Sequence, residues 1–231
     1  MKYGVHPSEE LVRLFTEKPY QGVKPADAKI LIVGNDANYS SEISNHKEYF
    51  KRILDYHSDG VSFWKRTGRH HPFLLSDYPF DRRKGGVRYH LNFSKMGFTS
   101  EDAESFSFVE LLNVPTTGNT GSDIELFFDL LDKDHLLWLE SIILQGDKKF
   151  VLVNQTLAKS ISKISKRFGV FGDLAGILKG KNVPAVVHET ASVVLYNGFS
   201  FSHSVSNEYL RELEKLMREF ISVKGMVGKQ N

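Results

Sequence analysis

The sequence contains no cysteine and no long hydrophobic run. Without cysteine it has no disulfide scaffold, no zinc–thiolate site and no cysteine-ligated iron–sulfur cluster. Because it has no stretch of about 18 apolar residues, we expect no transmembrane helix and no membrane partner. Residues 1–7 also lack the apolar stretch of a secretory signal peptide, so a cytoplasmic location is expected.

The sequence also lacks a strong charge excess and the common cofactor-binding motifs. Lysine and arginine total 30 against 28 acidic residues, and the resulting net charge of +2 permits nucleic-acid binding without pointing to it. Gly34 opens neither a phosphate loop nor a dinucleotide-binding turn, and no Gly-x-Ser-x-Gly motif occurs. The adjacent pair His70-His71 and the other histidines lack metal-ligand spacing. We therefore expect no cofactor and no metal.

The composition present is that of an ordinary globular protein, with 41% hydrophobic and 25% charged residues. Short apolar runs alternate with segments of helical periodicity, which favours a mostly parallel sheet covered on both faces. We predict one three-layer α/β/α domain over residues 1–231, with a central sheet of about four to five strands. Its core is expected to span about 26–223, and the tail 224–231 is expected to be flexible.

The individual segments are predicted from periodicity, capping residues and breakers. Residues 60–85 lack clear periodicity and are interpreted as a long loop with short structured pieces. Predicted strands cover 29–34, 106–114, 150–154 and 183–188, with 193–202 as a further strand or a hairpin. Predicted helices cover 9–15, 42–57, 86–96, 122–132, 134–145, 156–167 and 207–223.

Polar residues follow the predicted strands, and ligands of open parallel sheets bind at the carboxyl ends of strands. The first strand ends in Gly34-Asn35-Asp36-Ala37-Asn38-Tyr39, the second in Asn113, and the last in Ser202-His203-Ser204. An acid, amides and a histidine are thus candidates for one pocket. The alternatives are that Asp36 and Asn38 are turn residues, that Asn113 only terminates its strand, and that His203 caps the last helix.

The order of four segments resembles the uracil-DNA glycosylase superfamily across roughly residues 29–220. They are the strand and turn at 30–39, Phe73 after His71-Pro72, the strand 108–113 ending in Leu-Leu-Asn, and 202–206 around His203. The resemblance implies the same fold and hydrolysis of an N-glycosidic bond of a flipped, deaminated or damaged base in DNA.

The resemblance also implies roles for individual residues. Asp36 is expected to orient water and stabilise the oxocarbenium ion, and His203 to stabilise the departing base anion. Base contacts are expected from Asn113 through its amide, from Phe73 by stacking, and from Asn38 and Tyr39. Contacts to the nucleic-acid backbone are predicted for Arg69, His71, Arg82, Arg83 and Ser204.

Alternatives remain open both for the basic segments and for the function. The basic segments 65–71 and 82–84 are also typical of solvated loop charge. Ala37 replaces the proline of the superfamily motif, which favours a second function: binding of a base, nucleoside or nucleic acid without cleavage. A third is hydrolysis of a small nucleotide-like substrate, because a shared fold does not fix function. The partner is therefore DNA or a free base or nucleoside, and the oligomeric state stays open.

Overall fold

The computed structural model describes residues 2–82, 86–145 and 147–227. Within these ranges the chain is a mixed α/β structure with a six-stranded sheet of order β2-β4-β3-β6-β8-β7 and a separate pair, β1-β5. The strands are β1 (Gly4–Val5), β2 (Tyr20–Gly22), β3 (Ile30–Gly34), β4 (Phe106–Glu110), β5 (Thr116–Thr117), β6 (Lys149–Asn154), β7 (Ala185–Glu189) and β8 (Val193–Gly198). The α-helices are α1 (Glu9–Glu17), α2 (Lys47–Ser58), α3 (Gly60–Thr67), α4 (Val87–Ser94), α5 (Ile124–Asp129), α6 (Lys133–Leu144), α7 (Gln155–Phe168), α8 (Gly172–Leu178) and α9 (Asn207–Val227).

The four inner strands are parallel, and both edge strands are antiparallel to their neighbours. The predicted mixed α/β class with a mostly parallel sheet is therefore confirmed. The sheet has six strands where four to five were predicted, because the edge strand β2 was not predicted. Three residues between prolines and glycines give β2 too little pattern to be distinguished from a loop.

Strand alternation divides the core into two layers. Leu31 and Val33 face the layer that contains α5, α6, α7 and α8, whereas Ile30 and Ile32 face the layer that contains α3, α4 and α9. The same parity applies to β4, where Val109 packs in the first layer and Phe108 in the second. The period of two therefore decides which polar residue at a strand end faces which layer.

Residues 60–85 were interpreted as a long loop with short structured pieces, and Gly60–Thr67 within them forms the helix α3, which was not predicted individually. The Asp59 side chain accepts a hydrogen bond from Ser62 N at its start, and Gly68 ends it with a φ of 67°. These are an ordinary N-cap and C-terminal glycine, which the Gly, Arg and His content of residues 60–85 obscured.

The C-terminal part of the chain contains the end of β8 and the long helix α9. No hairpin forms at Asn197-Gly198, where β8 ends, and α9 continues past 223 to Val227. The rest of the predicted flexible tail, 228–231, lies outside the described residues. Across the described ranges, none of the helices has the length and apolar character needed to span a bilayer.

Candidate functional site

A cavity of about 620 Å³ lies at the carboxyl ends of β3, β4 and β6. Its walls are largely aromatic, and two carboxyl groups, Asp36 and Glu110, face into it. No lysine or arginine is among its lining residues in the described part of the chain. The ring-bearing residues that line it are Tyr39, Tyr56, His71, Phe73, Tyr89, His90, Phe108 and His203.

Asp36 is half-buried and is bound by three hydroxyl groups. Its Oδ2 atom accepts hydrogen bonds from Thr116 Oγ1 at 2.5 Å, Thr120 Oγ1 at 3.1 Å and Tyr3 OH at 3.2 Å. Oδ1 shares only the Thr120 hydroxyl, also at 3.1 Å. Burial raises the pKa of Asp36, and the three hydroxyl hydrogen bonds act in the opposite direction. Oδ1 is thus the oxygen with capacity left for a water molecule or substrate.

Backbone pairing between two loops fixes the position of Asp36. Thr116 N donates to Ala37 O at 2.8 Å, and Tyr39 N donates to Thr116 O at 2.9 Å. The Asn38 amide donates to Thr116 Oγ1 at 3.2 Å and to Gly118 O at 2.7 Å. Because Thr116 accepts from Asn38, its single hydroxyl hydrogen is directed to Asp36, which favours the ionised carboxylate.

Glu110 is the second carboxyl group of the cavity and is the last residue of β4. Within the described residues its side chain makes no hydrogen bond to protein. Burial, and then the negative charge of Asp36, raise the pKa of Glu110 well above its usual value. The two carboxyls therefore have different environments, one supplied with donors and one not. This difference favours a neutral Glu110 beside an ionised Asp36.

His71 and His90 line the cavity, and His70 lies behind them in contact with both rings. His70 Nε2 and His90 Nδ1 are 3.2 Å apart and share a hydrogen bond. His71 Nδ1 accepts a hydrogen bond from Phe73 N at 3.2 Å, so the neutral ring carries its proton on Nε2. Burial lowers the pKa of all three, to about 3 for His90, so the cluster is uncharged at neutral pH.

Asn113 does not line this cavity. It faces a separate cleft of about 400 Å³ together with Asp132, His135 and Trp138. Phe108 and Glu110 face the aromatic cavity, but β4 ends at Glu110. Beyond the strand, Leu111 and Leu112 both pack in the layer of α6, so the chain has entered that layer before it reaches Asn113. Asn113 thus lies outside the cavity that Asp36 and Glu110 line.

The other predicted catalytic and base-binding residues do line one cavity. Asp36, His203, Phe73, Asn38 and Tyr39 all contribute to its wall. His203 is exposed at its rim, and Phe73 is buried against Tyr39, with ring centroids 5.5 Å apart. The side-chain amide of Asn38 donates its hydrogens to Thr116 and Gly118, so it joins the loop after β3 to the segment around β5. Their roles toward a substrate stay predictions.

The residues predicted to contact phosphates are dispersed. His71 is buried in the cavity wall, which removes it from the surface where a phosphate contact was expected. The Arg82 guanidinium donates to Leu75 O. Arg69 and Ser204 are exposed and lie outside the cavity lining. Arg83 lies outside the described residues.

Sequence reasoning missed several residues that the fold brings to the cavity: Tyr3, Gln21, Tyr89, His90, Glu110 and Thr120. Glu110 could have been identified from the sequence, because a charged residue inside the apolar run 106–112 is rarely buried in a protein unless it is paired or functional. Nothing in the sequence indicated Tyr3 or Gln21, because Tyr3 directly precedes β1 and Gln21 lies in β2, two strands of only two and three residues.

The arrangement provides one carboxyl group that receives three hydroxyl hydrogen bonds, a second that receives none within the described residues, and aromatic walls for a flat, weakly charged ligand. Over the described ranges, no three histidine or acidic residues are grouped so that they could hold a metal ion. Comparison of the chain with protein-family models, with curated proteins and with solved structures finds no match.

Proposed function

We propose that this chain hydrolyses an N-glycosidic bond, as a divergent protein of the uracil-DNA glycosylase type, and takes a flipped nucleobase into the aromatic cavity. The observation that carries the proposal is Asp36. It follows the inner strand β3 of a mostly parallel sheet, and its carboxylate receives three hydroxyl hydrogen bonds. Its Oδ1 shares only the Thr120 hydroxyl and can accept a further hydrogen bond from water or substrate. A site that only bound a base would have little use for a half-buried carboxyl group held by three hydroxyls in this way.

The chemistry follows from charge development during hydrolysis. As the C–N bond lengthens, the sugar becomes positive and the base becomes negative. Asp36 stabilises the positive sugar and accepts a proton from the water that attacks the anomeric carbon. The electron pair of the broken bond leaves with the base, and His203 at the rim is the proposed hydrogen-bond donor to it. Phe73 and the neighbouring rings supply the stacking wall.

The test is release of free base from single- and double-stranded DNA that carries uracil or another deaminated base. We expect wild type to release base and Asp36→Asn to lose at least a hundredfold in rate, since an amide cannot stabilise the positive sugar. Asp173→Asn is the matched control, because Asp173 is exposed in the first turn of α8. Equal rates for wild type and Asp36→Asn would remove Asp36 from the chemistry.

A second candidate is hydrolysis of a free nucleoside by the same residues. It is favoured by the absence of lysine and arginine from the described cavity lining and by the burial of His71. A nucleoside needs no phosphate contacts, whereas a flipped nucleotide in DNA is positioned through its phosphates. Base release from nucleosides but not from oligonucleotides would select this candidate over the first.

A further inference from the structure

Gln21 places an amide in the cavity from the edge strand β2. It lies opposite Phe108 in the antiparallel pair β2-β4, so both side chains leave the same face of the sheet. Gln21 is only 5% exposed and lines the cavity. A buried amide has four hydrogen-bonding positions, and each one left unpaired is costly.

A chain of hydrogen bonds fixes which end of the Gln21 amide is available. His57 Nε2 donates to Leu14 O at 2.9 Å, because a carbonyl only accepts. Burial lowers the pKa of His57 to about 4, so the ring is neutral and its Nδ1 is an acceptor. The atom 3.1 Å from Nδ1 is therefore Gln21 Nε2, which donates. Gln21 Oε1 is left without a partner among the described residues.

Glu110 faces the same cavity from the neighbouring strand. It lies two residues beyond Phe108 on the same face of β4, so Gln21 and Glu110 are diagonal neighbours with Cα atoms about 7–8 Å apart. A neutral Glu110 offers an O–H donor, and Gln21 Oε1 offers an acceptor. Together they present one donor and one acceptor to a flat ligand held between aromatic walls.

We propose that Gln21 and Glu110 form the specificity site of the cavity, and that they recognise a heterocycle edge on which an N–H lies next to an acceptor. Gln21 Oε1 accepts from the N–H, and the Glu110 hydroxyl donates to the adjacent carbonyl oxygen or ring nitrogen. His57 acts through Gln21 as a positioning residue. The proposal rests on the proposed function for its substrate, but base recognition can be measured without hydrolysis.

Calorimetric binding of uracil and of 3-methyluracil to the full chain tests the proposal. Methylation removes the N–H, so we expect wild type and Asp36→Asn to bind uracil at least tenfold more tightly than 3-methyluracil. In Gln21→Leu this preference should fall to within about twofold, through weaker binding of uracil. Gln21→Glu, whose carboxylate still accepts, should retain a preference.

Two outcomes would overturn the specificity site. One is an unchanged preference for uracil in a folded Gln21→Leu protein, and the other is the absence of any preference in wild type. Should Gln21→Leu not fold, Glu110→Leu tests the same pair, with Glu110→Gln as the variant that keeps a neutral donor. If Asp36→Asn hydrolyses as fast as wild type while the preference for uracil is intact, the proposed function is refuted and the specificity site is not.

Discussion

His71 and His90 stack face to face in the wall of the cavity, with ring centroids 3.5 Å apart and an angle of 10° between their planes. His70 reaches the same pair through its hydrogen bond to His90. A proton on any of these rings is opposed by burial, and for His70 and His71 also by the charge it would meet on His90. Protonation of any of these rings therefore lowers the stability of the folded protein.

Acid should destabilise the protein through this stack. A histidine whose folded-state pKa is lowered contributes full stability above its unfolded pKa of about 6.5 and loses it as pH falls toward the folded value. For His90, with a pKa of about 3 in the folded state, the loss between pH 7 and pH 5 is about 2 kcal/mol. Urea unfolding at pH 7, 6 and 5 measures this loss. His90→Phe should show a shallower loss than wild type, and an equal slope would contradict the argument.

Glu110 should act in the opposite direction. Its folded-state pKa is raised, so the stability it contributes is present below its unfolded pKa of about 4.3 and is lost as pH rises through the folded value. Glu110→Gln removes this titration and keeps the shape. We expect the variant to gain stability relative to wild type as pH increases from 5 to 8, measured by urea unfolding. If the difference in unfolding free energy between Glu110→Gln and wild type instead falls as pH rises, the pKa of Glu110 is not raised.

Gly34 is tied to Glu110 by a close approach. A Cβ at residue 34 would lie 1.9 Å from Glu110 Oε2 and 2.7 Å from its Cδ. Because the obstructing atoms belong to a side-chain end, Gly34→Ala should displace the Glu110 carboxyl while costing only about 1 kcal/mol or less of stability. Uracil binding should weaken about tenfold. Gly172→Ala is the control, since no atom lies within 4 Å of its added Cβ.

The hydroxyls around Asp36 should set the acid limb of the activity profile. Each hydroxyl hydrogen bond lowers the pKa of Asp36, so Thr120→Val should raise it and move the acid limb of kcat to higher pH. Base release measured from pH 4 to 8 shows this shift. Thr16→Val, at an exposed position of α1 where the hydroxyl bonds only Val12 O, should leave the limb in place. If the acid limb of the kcat profile is the same in Thr120→Val as in wild type, ionisation of Asp36 does not control the rate.

The sequence predicted the regular elements where a repeating pattern carried the information. The apolar run 30–33 is buried on both faces, and the helix predicted over 156–167 is α7, Gln155–Phe168. Such signals depend on neighbours along the chain. The edge strand β2 and the helix α3 were missed because their signals are short or masked by composition.

Asp36 was identifiable from the sequence because an acid that follows a buried strand lies at the edge where parallel sheets bind ligands. Asn113 shows the limit of that reasoning. Its segment was recognised, but β4 ends at Glu110, and beyond the strand Leu111 and Leu112 both pack in the layer of α6. Asn113 then lines the separate cleft beside α6. The alternation of side chains along β4 does not extend past its last residue, so it could not locate Asn113.

By itself the sequence determined the alternation of strands and helices, the parallel centre of the sheet and the candidacy of Asp36, because these follow from local periodicity and from the chain order of elements. Only the tertiary structure decided which side chains surround Asp36. Tyr3 reaches it across 33 residues and Thr120 across 84, and Gln21 takes its orientation from His57 on another element. Contacts over such separations depend on strand pairing and layer packing, which no local pattern encodes.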